Sequence, residues 1–119
     1  MRIFPSLLVC LSVGIYAPAF AATCNFELPD IPVMGEHPAN YGRLRTAYDL
    51  WSKQEAVEAE NCGCPYSKPF SAFTEALSTK GPEDLSQADV SAIRTWSLRE
   101  GSGILERQMA FMADACQEE

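Results

Sequence analysis

Two thiols separated by a single residue, in Asn61-Cys62-Gly63-Cys64-Pro65, form the stretch of this chain best equipped for chemistry. A disulfide between Cys62 and Cys64 would close a small ring that is hard to form without strain, and strained, exposed bonds are the labile ones. Such a pair suits thiol–disulfide exchange with client proteins. Reduced, it suits a soft ion such as Cu(I), for which Met34, Met109 or Met112 would add a thioether. The surroundings argue against both. No histidine adjoins the pair, Lys68 is the nearest cation, and Glu58 and Glu60 would raise a thiol pKa. The turn also follows a helix C-terminus, the wrong end for stabilising a thiolate. A closed zinc site would need all four of the cysteines left after export in an oxidising compartment. Structural disulfides are therefore the stronger reading of these residues.

Other chemistry is sparse. His37, the only histidine, precedes a proline and reads as a solvated loop residue. Carboxylate pairs such as Glu55 with Glu58 and Glu83 with Asp84 are expected in a chain with sixteen Asp and Glu, and they read as solvated faces. There is no nucleophile elbow, no Cys-x-x-Cys-His for haem and no glycine-rich phosphate loop. No catalytic residue, metal site or cofactor is expected outside the Cys62 and Cys64 alternative.

The compartment follows from the first residues. Met1-Arg2 leads into a nearly uncharged run from Ile3 to Tyr16 and then Ala19-Phe20-Ala21, the small-x-small pattern of a signal-peptidase site. Residues 1–21 are read as a signal peptide, since an apolar run of about 15 residues is shorter than the roughly 20 that span a bilayer. Neither Val9 before Cys10 nor Thr23 before Cys24 is the small residue that lipid anchoring requires. Cleavage removes one arginine and no acidic residue, so the net charge of −7 becomes −8 in residues 22–119. Such a chain repels nucleic acid and anionic lipid. No nucleic-acid partner is expected, and no stable membrane insertion after signal cleavage. Four cysteines remain, Cys24, Cys62, Cys64 and Cys116, an even count that implies two disulfides in a periplasmic or secreted domain.

The elements that must position these cysteines are helical. Residues 22–39 contain three prolines and a glycine and read as an extended arm. Phe26, Leu28, Ile31, Val33 and Met34 are too apolar for a free linker, so the arm lies across the helices. Tyr41, Leu44, Tyr48 and Trp51 recur at three- and four-residue spacing, predicting a helix over 40–61 with Asn40 as its N-cap. Arg43 and Arg45 near its start and Glu55, Glu58 and Glu60 near its end oppose the helix dipole, so neighbours must compensate. A short helix follows over 69–79. Ser86 and Asp89 have capping-box spacing and start a helix over 86–100, with Val90, Ile93, Ser97 and Leu98 near one face. After Gly101-Ser102-Gly103, residues 103–116 carry Ile104, Leu105, Met109, Met112 and Cys116 at helical spacing, with Phe111 on the flank. The fold class is all-α, a three- or four-helix bundle with an extended arm, stapled by disulfides.

Two packings compete. If 86–116 is one helix, Cys116 reaches the end where Cys62 and Cys64 lie, the arm brings Cys24 there, and Cys24 and Cys116 each bond one of the pair. If the glycines break the helix, Cys116 returns beside Cys24, Asp114 approaches Arg43 and Arg45, and Cys62 and Cys64 are left together. Without a catalytic constellation, the expected function is that of a protein-binding or accessory module of the cell envelope, with the arm and the region of Phe111 and Met112 as contact surfaces. The alternative is a thiol–disulfide exchange or Cu(I)-binding protein using the Cys62-Gly63-Cys64 turn.

Overall fold

The computed structural model describes residues 24–117, so the signal peptide read over 1–21 lies outside the described residues. Among them are three α-helices and no strand: α1 (Asn40–Glu58), α2 (Phe70–Ser78) and α3 (Gln87–Ala115), with 3-10 turns at Pro32–Gly35 and Pro82–Asp84. The chain is a small disulfide-stapled helical bundle with an N-terminal arm. The long helices α1 and α3 run in the same direction. Their first residues meet through Asn40 and Gln87, and the segments beyond their last residues meet through the Cys62–Cys116 disulfide. α2 returns between them, which gives the order up, down, up.

Each boundary has a local cause. Pro69 is extended and has no N–H to lose, so α2 begins directly after it, and Thr79 closes the helix in the left-handed region at φ 60°. At the start of α3 the Asp89 N–H donates to the Ser86 hydroxyl at 3.2 Å, and the Ser86 N–H donates to the Asp89 carboxylate at 2.8 Å. This reciprocal pair satisfies two of the donors that a helix start leaves open. α1 stops at Glu58 rather than continuing to residue 61, because Glu60 turns to φ 54°. Asn61 then folds the chain over: the Gly63 N–H donates to its Oδ1 at 2.8 Å, and its Nδ2 donates to the Cys64 carbonyl at 3.0 Å.

The expected division of the last region into helices over 86–100 and 103–116 does not occur. α3 runs through Gly101-Ser102-Gly103 for 29 residues, about 44 Å at 1.5 Å per residue. Two helical glycines cost about 2 kcal/mol relative to alanine, and close packing offsets that cost. Gly101 is buried, and a Cβ placed on it would lie 3.3 Å from Leu50 Cδ1, so the missing side chain lets α3 approach α1. Four-helix order is thereby excluded, and Asp114 finishes at the far end of the bundle from Arg43 and Arg45.

The core is built around Tyr48. Its ring packs against Phe26, Phe70 and Phe73 at centroid distances of 5.0, 5.7 and 5.6 Å, and its hydroxyl donates to the Lys68 carbonyl at 2.5 Å. Leu44, Ala47, Trp51, Leu85, Val90 and Ile93 complete the buried cluster. Fully burying a side chain such as Phe73 contributes about 1.5–3 kcal/mol. Tyr41, expected on the inner stripe, is instead 46% exposed. The buried face of α1 is set by Leu44, Ala47, Tyr48 and Trp51, and Tyr41 falls at its edge.

The arm is part of this core. Ile31 and Val33 are buried, and Phe26, Leu28 and Met34 pack on the cluster. The Arg45 guanidinium lies 4.8 Å from the Phe26 ring centroid, so a charge unfavourable to the dipole of α1 is held by a cation–π contact. At the other end, Glu55 pairs with Lys68 at 2.6 Å.

Candidate functional site

The cysteine turn is a junction between two covalent staples. Cys24 is bonded to Cys64 and Cys62 to Cys116, with Cα–Cα distances of 5.4 and 5.5 Å. Neighbouring thiols thus leave in different directions: Cys64 ties down the arm and Cys62 ties the end of α1 to the end of α3. With both sulfurs in separate bonds, no vicinal dithiol or Cys62–Cys64 ring is present in this oxidised form. Thiol exchange or Cu(I) binding through this pair would first require reduction of a long-range bond. Met34 lies on the first 3-10 turn, packed against the core towards the start of α1, whereas Met109 and Met112 project from the last turns of α3.

His37 has a local role. Its Nδ1 accepts from the Ala39 N–H at 3.0 Å, one of the donors that the start of α1 leaves open. Asn40 is not the N-cap expected from its type, because Ala39 occupies that position. Asn40 is fully buried as the first helical residue, and its amide ties the arm to both long helices.

Two surface features lie side by side. The first is a shallow groove of about 510 Å³ between α1 and α3, lined among others by Ala39, Gly42, Arg43, Arg94 and Leu98. Among the described residues, Lys53, Lys68, Lys80 and Arg99 each pair with a carboxylate, whereas Arg43, Arg45, Arg94 and Arg107 do not, and of these four Arg43 and Arg94 line the groove. An acidic chain therefore keeps two arginines without ion pairs on the walls of one cleft.

The second feature is an apolar stripe along α3. Leu98 and Met109 are each 69% exposed, Met112 42% and Leu105 40%. The inner face of α3 is formed by Val90, Ile93, Ser97, Gly101 and Ile104. Leu98 and Leu105 each follow an inner residue by one position, which turns them about 100° round the helix. The expectation that Leu98 lies near the inner face is corrected on this ground, whereas Met112, in the region expected as a contact surface, is exposed. Phe111, by contrast, is half-buried. The seven-residue spacing of Leu98, Leu105 and Met112 was the signal available in the sequence, and it becomes visible once α3 is known to be continuous.

The expected contact surface on the arm is likewise corrected, because its apolar side chains are used in the core. No helix among the described residues is long and apolar enough to cross a membrane. No protein-family model, no curated protein and no solved structure matches this chain. Fold and surface define a disulfide-stapled three-helix domain, and its disulfides are compatible with an exported protein.

Proposed function

We propose that this is an exported protein, periplasmic or secreted, that acts as a protein-binding or accessory module of the cell envelope. The contact surface is the outer face of α3 together with the groove beside it. The observation that carries the reading is the alignment of Leu98, Leu105, Met109 and Met112 in one exposed row on an otherwise acidic chain. Isolated exposed apolar residues are ordinary, but a contiguous row marks a contact surface. Two covalent staples support the same reading, since a rigid scaffold presents such a row at little entropic cost on binding.

The test has two parts. N-terminal sequencing of the exported product is expected to begin at residue 22. Capture from an envelope extract is expected to return a reproducible polypeptide with the wild-type chain and to lose it with Leu98→Glu or Met109→Glu. Both positions are mostly exposed, so neither change removes core packing. Identical capture by wild type and both variants would refute the assignment of the surface.

A further inference from the structure

We infer that the apolar stripe of α3 is covered by a second copy of the same chain, the two helices packing antiparallel across a two-fold axis at Leu105. This inference rests on the reading of the stripe as a protein-contact surface and names the partner.

The stripe has the symmetry that such an interface requires. An isologous two-fold interface uses the same patch twice, so its residues must pair with one another about a centre. Leu98 and Met112 lie seven residues on either side of Leu105, on nearly the same line of the helix. Antiparallel pairing centred on Leu105 sets Leu98 against Met112 of the second copy and Leu105 against its own equivalent. Met109, one of the two most exposed large apolar side chains, then falls near Ser102 of the second copy, a small exposed residue that leaves room for it.

Charge selects the antiparallel direction and argues for a second copy over an unrelated apolar helix. Arg94 and Arg43 stand beside Leu98, at one end of the stripe, and have no carboxylate partner among the described residues. The other end of the stripe is the C-terminus of α3, the negative end of the helix dipole. Antiparallel packing brings that end of each copy to the arginines of the other, twice per dimer. Parallel packing would set Arg94 against Arg94 and align the two dipoles unfavourably.

The experiment is sedimentation equilibrium on residues 22–119 with both disulfides formed, through the micromolar range. Wild type is expected to be a dimer and Leu105→Glu a monomer that still unfolds cooperatively, with a melting temperature independent of concentration. Leu98→Glu serves as a second variant should the first fail to fold. Arg94→Glu is expected to weaken the dimer about tenfold, with a smaller effect at high salt. Direction is read by cross-linking: Leu105→Cys should link to itself and Leu98→Cys to Met112→Cys, whereas Met112→Cys alone should not. Self-linking of Met112→Cys as efficient as that of Leu105→Cys would overturn the antiparallel arrangement.

A monomeric wild type would overturn the second copy as occupant. The envelope capture then separates the two readings. Loss of a captured polypeptide in Leu105→Glu would leave the contact surface standing with a different partner, and an unchanged captured set would overturn both.

Discussion

Asn40 and Gln87 exchange two hydrogen bonds across the starts of α1 and α3: Asn40 Nδ2 donates to Gln87 Oε1 at 2.8 Å, and Gln87 Nε2 donates to Asn40 Oδ1 at 3.2 Å. The same Asn40 amide nitrogen also donates to the Val33 carbonyl at 2.7 Å. One fully buried side chain thus fixes the register of two parallel helices and the seat of the arm. Asn40→Ala strands the Val33 carbonyl and is expected to cost about 2 kcal/mol. Asn40→Asp is expected to cost more, because a buried carboxylate would face that carbonyl with no donor. Chemical denaturation of the oxidised chain measures both.

The continuity of α3 makes the two glycines at its centre unequal. Gly103→Ala is expected to stabilise the protein by about 1 kcal/mol, the helix-propensity gain. Its new methyl meets only the end of the Arg107 side chain, which is flexible and exposed. Gly101→Ala is expected to be close to neutral, because the methyl would press on buried Leu50 at 3.3 Å. Gly101→Val should destabilise by about 1–3 kcal/mol through overpacking. Thermal melts of the three variants would show the order.

Alkaline pH should loosen the seat of the arm through Tyr66. Burial first, and then donation to the Asp49 carboxylate at 2.5 Å, push its pKa from the ordinary 10.0 up to about 12. The folded value exceeds the unfolded one, so this contribution is whole below about pH 10 and is lost as pH rises towards about 12. In an ultraviolet titration of the folded chain, one tyrosine is expected to ionise late, and Tyr66→Phe should remove that late component. The variant should also unfold with a shallower dependence on alkaline pH.

The two disulfides should separate by location rather than by size. Their sequence separations are 40 and 54 residues, and a chain-entropy model gives about 4 kcal/mol for each. Replacing Cys62 and Cys116 by serine is expected to speed hydrogen exchange in the last turns of α3 and leave the amides around Asn40 protected. Replacing Cys24 and Cys64 should instead expose Phe26 and the aromatic cluster around Tyr48. Hydrogen exchange with mass spectrometry distinguishes the two patterns.

Much of the helical architecture is legible in the sequence because it is written in local signals. Pro69, the Ser86 and Asp89 pair, and the spacing of Leu44, Tyr48 and Trp51 act within a turn or two of themselves. What escaped depends on distant neighbours. Whether Gly101-Ser102-Gly103 breaks a helix turns on Leu50, fifty-one positions earlier in the chain, because glycine's weak propensity is overridden by close packing. The outward turn of Leu98 was hidden for a related reason. Leu98 and Leu105 satisfy helical spacing as well as their inner neighbours do, and only the position of α1 decides which row faces inward. Asn40 has the right type for a cap, but its contacts with Val33 and Gln87 have no local signature.

The crossing of the two disulfides at Cys62-Gly63-Cys64 also sets how the molecule responds to a protease. The loop from Cys24 to Cys64 and the loop from Cys62 to Cys116 overlap at that turn, so every peptide bond between Cys24 and Cys116 lies inside at least one ring. A single cut anywhere between those residues, in the arm, at the turn or in the connection before α3, leaves all fragments covalently joined. A nicked molecule would still migrate as one species until reduced, and a protease would have to cut at least twice to release any part of the helical body.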